Sequence, residues 1–301
     1  MEKAEILLES GTNEIEIMEF TIYDELYGIN VAKVREIMRA DEVKEIPHAH
    51  PSVEGIFKPR EELLTVIDLP HYLTGKKTTP TDIDIFMVTE FNKLNIAFRV
   101  EGVVGIERIS WEDISKPDAT LKNDEDGIAT GIAEINGKLV TILDFEKITA
   151  DIAPETGIQT EEVAVYEGTD RSQYSLVMAE DSVLLTRMIE DSLRKAGYSK
   201  ITKFGNGKDA YTYLEEGKEN GELRADLLIT DIEMPMMDGH RLTKLVKDDS
   251  VLKKIPVVIF SSLITPEMSI KGKEVGADEQ LSKPEIGLLV DVIDELLNRR
   301  N

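Results

Sequence analysis

Four apolar stretches toward the C-terminal end of this 301-residue chain each run out on a polar residue suited to phosphoryl chemistry. They are SLVMAED, DLLITD, VVIFSS and QLSKP, and they place Glu180 with Asp181, then Asp231, then Ser261, then Lys283 with Pro284 at the ends of strand-like runs. Each gap between these positions is long enough to hold a helix and the strand that follows it. In an open parallel α/β sheet such strand ends converge on one crevice, where residues distant in sequence share a site. Three carboxylates gathered there repel one another, at a cost on the order of 4 kcal/mol per pair for an effective dielectric of about 20. A divalent cation removes that repulsion, and Mg2+ takes one or two carboxylates while keeping positions for water and phosphate oxygens. Glu180 and Asp181, with Asp231 itself, therefore read as metal ligands. Asp231 also reads as a nucleophile toward phosphorus, with the Lys283 ammonium and the Ser261 hydroxyl offsetting charge on the phosphoryl oxygens. The product is an aspartyl phosphate.

Each of these residues alone has an ordinary reading. A lone acid at a strand end usually forms a turn or caps a helix, and a lone lysine is usually a solvated surface charge. The coincidence of all these positions is what specifies a pocket. Ser182 reads as the N-cap of a helix over VLLTRMIEDSLRKAG, with Leu185, Ile189 and Leu193 on one face. NGKDA at 206–210 lacks the earlier glycine of a phosphate loop and has Asp209 where Ser or Thr is required, so it reads as a turn opening the next helix.

Composition bounds the rest. The length suggests two domains, and 41% hydrophobic residues suffices for two cores. A formal charge of -24 and the lack of a basic helix argue against nucleic acid, whose binding relies on Lys and Arg displacing counterions. With no cysteine in the chain, disulfides and thiolate chemistry are excluded. No signal-peptide pattern and no apolar run of about 18 residues is present, so a cytoplasmic protein without direct membrane insertion is expected. Between Ile148 and Tyr174 the pattern lapses into acidic, Pro/Gly/Thr-containing sequence. The expected organisation is a domain over 1–155, a linker over 156–172 in which VAVY could add a strand to a neighbour, and a second domain over 173–301.

The set Glu180, Asp181, Asp231, Ser261 and Lys283-Pro284, with MPMMDG following the aspartate, resembles the receiver domain of bacterial response regulators. The resemblance implies a flavodoxin-like five-stranded parallel sheet, Mg2+, phosphorylation of Asp231 by a histidine kinase, and movement of Ser261 toward the phosphoryl group. It also implies that the backbone carbonyl of Glu233 joins the metal ligands. Many receivers carry an aromatic residue three positions before the lysine; here that position is Gln280, so a switch would be read out differently. The Glu233 carboxylate stands near enough in sequence to affect hydrolysis of the acyl phosphate. A haloacid-dehalogenase phosphatase fits less well, because Asp231-Ile232-Glu233 lacks that family's second aspartate.

The N-terminal half reads as β-rich. IMEFTIY, LYGINV, LLTVIDL, IDIFMVTEF, LNIAFRV and LVTILDF are strand-like, and VAKVREIMR is the expected helix. Gly55, Ile56, Leu63, Thr65 and Asp68 recur at one constant offset as Gly131, Ile132, Leu139, Thr141 and Asp144, each copy a hairpin ending at an aspartate. Asn136-Gly137 supplies a tight turn. Asp68 and Asp144 read as turn or cap residues, and His48 and His50 in PHAHP, with no third ligand nearby, as a turn rather than a metal site.

LYGINVAKVREI, IPHAHPSVEGIFKPR and LLTVIDL resemble the CheW-type coupling domain over about residues 14–150. That likeness implies two small five-stranded barrels that link chemoreceptor tips to the histidine kinase CheA. By the same likeness Val34, Glu36, Gly55 and Arg60 fall at partner-contact positions. The family's Asn-Leu-Arg-Gly becomes Lys58-Pro59-Arg60-Glu61, leaving only the arginine; taken singly, Val34 reads as core and Glu36 and Arg60 as solvated charges. A coupling domain followed by a receiver is the order of the CheV family. Its implied role is chemotaxis coupling at receptor arrays, modulated by phosphorylation of Asp231 in support of adaptation. The alternatives are a phosphate sink that drains the kinase, or a scaffold with an inert receiver.

Overall fold

The computed structural model describes residues 11–91, 94–115, 127–153 and 171–299. Most of the expected linker, including VAVY, lies outside the described residues. Among those described, 15–91, 94–109, 113–115 and 127–153 form one compact unit, and 11–14, 110–112 and 171–299 the other.

The first unit begins with a hairpin, β1 (Glu14–Ile22) and β2 (Glu25–Asn30), closed by Tyr23 and Asp24, both at positive φ. Two left-handed residues in succession match the twist that a two-residue hairpin turn needs. The chain continues through β3 (Val34–Arg39), β4 (Val53–Phe57), β5 (Leu64–Asp68) and a short helix α1 (Leu69–Thr74). A second hairpin, β6 (Ile85–Phe91) and β7 (Leu94–Val100), leads to β8 (Gly102–Ser110), β9 (Ala129–Ile135), β10 (Lys138–Leu143) and helix α2 (Phe145–Ile152). The strands form two five-stranded sheets, ordered β8-β1-β2-β10-β9 and β3-β6-β7-β5-β4. Each sheet is thus a hairpin from one half of the repeat completed by three strands from the other half. The internal echo in sequence is the trace of this exchange.

The equivalence extends to single residues. Asp68 accepts from the His71 N–H and Asp144 from the Lys147 N–H, so each aspartate ending a repeated strand caps the helix after it. Asn136 and Gly137, at φ 51 and 76, make the turn expected of them. His48 lies in the turn before β4 at φ 63, and His50 Nδ1 accepts from the Ser52 N–H. Phe20 and Ile29 from one sheet and Phe98 and Ile67 from the other share one core with Phe145, whose ring meets Phe98 edge-on at 4.8 Å.

The expected helix over VAKVREIMR is a correction. Residues Val31–Lys33 form a single 3-10 turn and Val34–Arg39 is strand β3, paired antiparallel with β6. Pairing decides against the helical spacing of Val31, Val34 and Met38, because an edge strand closes the sheet and its side chains alternate between half-buried and exposed.

In the second unit β11 (Ser175–Ala179), α3 (Val183–Lys195), β12 (Lys200–Phe204), α4 (Gly207–Glu219), β13 (Leu227–Thr230), α5 (Gly239–Asp248), β14 (Val257–Ser261), α6 (Pro266–Glu274), β15 (Glu279–Ser282) and α7 (Ile286–Arg299) alternate. The sheet is wholly parallel in the order β12-β11-β13-β14-β15. Helices cover both faces: Leu176, Met178 and Ile229 pack toward Leu193 and Ile293, and Val177 and Leu228 toward Leu214 and Leu242. This two-sided burial is why the three central strands, β11, β13 and β14, read as unbroken apolar runs rather than alternating ones. Ser182 caps α3 through the Leu185 N–H, and Asn206 caps α4 through the Asp209 N–H.

In the first unit Arg99 is 3% exposed; it forks onto Glu54 at 2.6 and 2.7 Å, reaches Asp84 at 2.9 Å and lies over the Phe86 ring. Removing one partner of such a group strands buried charge. Arg99→Ala is therefore expected to lower unfolding free energy by about 3–5 kcal/mol in urea denaturation, and a loss below ~1 kcal/mol would show that the triad is not stabilising.

Candidate functional site

The crevice at the carboxyl ends of β11, β13, β14 and β15 gathers the expected residues. Asp231 follows β13 directly and is fixed by its own backbone, since its N–H donates to the Ala179 carbonyl at 2.9 Å. Glu180 and Asp181 follow β11, and one carboxylate oxygen from each of Glu180, Asp181 and Asp231 lies within 4.8 Å of the others. Lys283 follows β15, and its ammonium reaches Asp231 Oδ2 at 2.8 Å and Glu180 Oε2 at 3.2 Å. Glu180, Asp231 and Lys283 are each at most 5% exposed. Ser261 is fully buried at the end of β14, where its Oγ accepts from the Leu263 N–H. Glu233, two residues past Asp231, is half-buried.

Electrostatics here is dominated by burial. Loss of solvent drives the Glu180 carboxyl well above its ordinary range against the opposing Lys283 ammonium, and the Asp231 and Asp181 charges push the same way. Three carboxylates converging beside the Lys283 ammonium make a largely buried, oxygen-rich pocket that suits a small, hard divalent cation.

The loop after Asp231 is shaped by a glycine. The Ile232 N–H donates to Asp231 Oδ1 at 2.6 Å, and the Gly239 N–H returns to the Ile232 carbonyl at 2.9 Å. A Cβ on Gly239 would stand 1.8 Å from the Asp231 carbonyl oxygen, so only glycine lets α5 start this close to the strand end. Asp238 caps that helix through the Arg241 N–H.

Comparison with known proteins matches residues 16–153 to the CheW-like domain and 176–294 to the response regulator receiver domain. Chemotaxis protein CheV3 of Helicobacter pylori is 32% identical over 95% of this chain and 96% of its own length. The chain belongs to the CheV family. Chemotaxis protein CheV2 of the same organism is 27% identical over 91% of this chain and 90% of its own. Among solved structures, the scaffolding protein TtCheW from Thermoanaerobacter tengcongensis covers 43% of this chain and 88% of its own, at 23% identity and a TM-score of 0.40.

In this CheV-family chain the four expected partner-contact residues are spread over one sheet of the CheW-like unit. Val34 and Glu36 are half-buried on β3, Gly55 is buried on β4, and Arg60 is exposed in the turn after β4. β3 and β4 stand at opposite edges of the sheet order, yet the sheet curls: Lys44, beyond β3, bridges to Ile56 of β4, and Arg35 pairs with Glu62 at 2.9 Å. Gly55 has a backbone reason to be glycine. At φ 149 beside a bulge, a Cβ there would come 2.2 Å from the Lys44 carbonyl oxygen.

Sequence reasoning missed three contributors around the CheV receiver pocket: Gly239, His240 and Asn13. Gly239 stood in the quoted MPMMDG motif without a role assigned, whereas His240 and Asn13 carry no local signal. His240 is 6% exposed on the first turn of α5 and its Nε2 has no hydrogen-bond partner among the described residues. Burial, aided by the Lys271 charge, pulls its imidazole from 6.5 down to about 4. Between those values the unfolded chain takes up a proton that the folded chain refuses, so this residue's contribution to stability falls as pH drops through the window. Asp238 acts in the opposite sense, burial raising it to about 6, but it is common to both proteins when the parent is compared with His240→Gln. The parent's stability relative to that variant is expected to fall by up to roughly 3 kcal/mol between pH 7 and pH 4. Urea denaturation of both proteins across that range measures it, and a pH-independent difference would contradict the burial of a neutral imidazole.

Proposed function

We propose that this chain couples chemoreceptor tips to the histidine kinase CheA through residues 1–155 and is modulated by phosphorylation of Asp231 in a receiver spanning 173–301. The observation that carries the reading is the cluster of buried Glu180 and Asp231 with half-buried Asp181, and Lys283 in direct contact with the nucleophile candidate. Family membership supports the chemotaxis setting, and the CheW-like match supports a partner-binding role for the first unit. Among the described residues no helix is long and apolar enough to cross a membrane, which is compatible with a cytoplasmic chain recruited to membrane-associated arrays.

In the transfer, an Asp231 Oδ attacks the phosphorus of a phosphohistidine in line. An O–P bond forms as the P–N bond breaks, and the imidazole nitrogen leaves with the electron pair and takes a proton from water. Glu180, Asp181, the Asp231 carboxylate and the Glu233 carbonyl would hold Mg2+, which when bound supplies charge neutralisation for the phosphoryl oxygens. Lys283 gives up its contact with Asp231 Oδ2 to reach a phosphoryl oxygen, and the Ser261 hydroxyl turns from the Leu263 N–H to another. The chain is a phosphoryl acceptor rather than an enzyme that turns over a substrate, beyond slow release of its own phosphate. The added charge of about -1.5 to -2 alters how the receiver and its partners associate, and so changes kinase output. Val34, Glu36 and Arg60 are the proposed partner contacts, with Gly55 shaping the strand beneath them.

Incubation with labelled phosphorylated histidine kinase and Mg2+, beside Asp231→Asn, tests the proposal. Label is expected on the parent and absent from the variant, with a lifetime long enough to alter kinase activity. A parent that takes no label while the kinase still phosphorylates another receiver contradicts the reading. Rapid loss of label with kinase activity unchanged would instead make the protein a phosphate sink.

A further inference from the structure

Asn13 precedes both family-matched spans, yet it is 9% exposed and lies against the loop that follows Asp231. Its carboxamide is used in both directions. Nδ2 donates to the Met236 carbonyl at 3.0 Å, and Oδ1 accepts from the Asp238 N–H at 2.9 Å. The rest of that loop edge is tied down in the same way: the Met236 N–H donates to the Trp111 carbonyl at 3.0 Å, and the Trp111 N–H donates to the Asn13 carbonyl at 3.0 Å. Arg241 on α5 donates to the Gly11 carbonyl at 3.2 Å. Asn13 and Met236 both sit at φ 67, a left-handed conformation that Asn tolerates and that Met adopts only under constraint. Residues 11–14 and 110–112 therefore clasp the distal end of the 232–238 loop.

The proximal end of the same loop is fastened to the pocket. The Ile232 N–H donates to Asp231 Oδ1, and Lys283 bonds Oδ2 of the same carboxylate. A phosphoryl group on Asp231 removes charge from that carboxylate and brings three anionic oxygens to where Lys283 now bonds. The Ile232 amide, which now donates to that carboxylate, must then re-aim, whereas the clasp holds the far end of the same loop in its present place.

We infer that Asn13 is a positioning residue for the phosphoacceptor loop, and that the clasp made by residues 11–14 and 110–112 is thermodynamically coupled to the occupant of Asp231, each weakening the other. This rests on Asp231 being the phosphoacceptor. Coupling of this kind is reciprocal: if phosphorylation loosens the clasp, breaking the clasp must favour the phosphorylated form by the same factor.

The chain's single tryptophan, Trp111, is buried within the clasp and provides a direct readout. The full-length protein is titrated with beryllium fluoride, a tetrahedral stand-in for the phosphoryl group, in the presence of Mg2+. Uptake is measured by equilibrium dialysis, Trp111 emission is followed, and amide exchange is recorded at residues 11–14 and 236–238. Asn13→Gly keeps the left-handed backbone accessible and removes only the carboxamide. Asn13→Asp keeps the acceptor for Asp238 but sets a carboxylate against the Met236 carbonyl, and serves if the glycine variant does not fold.

In the parent, beryllium fluoride is expected to shift Trp111 emission and speed exchange in both segments. Either variant should bind it roughly three- to tenfold more tightly than the parent, the worth of one to two hydrogen bonds. A merely structural role for Asn13 predicts the reverse, weaker binding. Uptake by the parent with variant affinities within twofold of it, or with exchange at residues 11–14 unchanged, overturns the inference alone. A parent that takes up no beryllium fluoride overturns the phosphoacceptor reading and the inference with it.

Discussion

Negative charge held out of water is the constraint around which the receiver unit is arranged. Glu180 and Asp231 are nearly inaccessible to solvent, Asp181 is beside them, and Lys283 is in contact with two of the three. Even at an effective dielectric of about 20, each like pair at such range costs on the order of several kcal/mol. The arrangement persists because each carboxylate is delivered by a strand end whose position is fixed by parallel pairing on both sides, and because Lys283 arrives from a third strand. Backbone amides add to this. Ser182 N–H donates to Glu180 Oε1, and Ile232 N–H to Asp231 Oδ1.

That electrostatic demand propagates outward. Gly239 is needed because the chain must turn back within van der Waals range of Asp231, and Asp238 and Ser182 cap the helices that flank the crevice. His240, neutral and buried one residue beyond Gly239, gives up protonation to sit there. The CheW-like unit solves a different problem, closing two curled sheets over one core. It uses the same device twice, with Asp68 and Asp144 each ending a strand and capping the helix that follows.

Much of this was legible in the chain. The central receiver strands β11, β13 and β14 could be read because strands buried on both faces write near-continuous apolar runs, and the polar residue that stops each run is also the residue that reaches the crevice. The edge strand β12, Lys-Ile-Thr-Lys-Phe, writes no such run. The repeat was legible because Asp68 and Asp144 stand in the same register with the same flanking pattern. What failed was decided by tertiary pairing. VREIMR carries helical spacing, yet it is an edge strand whose partner β6 comes only after two further strands and a helix, and β8 escaped notice because its exposed Val104 and Ile106 break the alternation expected of a half-buried strand. Asn13 was invisible for the same reason: its partners, Met236 and Asp238, belong to the opposite end of the chain, and no local pattern marks it.

If the carboxylates of Glu180, Asp181 and Asp231 form a divalent-cation site, metal binding must stabilise the folded receiver. Thermal unfolding of the parent and of Asp181→Asn can be followed as Mg2+ is raised at constant ionic strength. A ligand that binds only the folded state stabilises it by RT ln(1 + [L]/Kd). The unfolding midpoint of the receiver is expected to climb with Mg2+ in the parent and to respond little in the variant. Identical responses in the two proteins, or none in the parent, would contradict a cation site there.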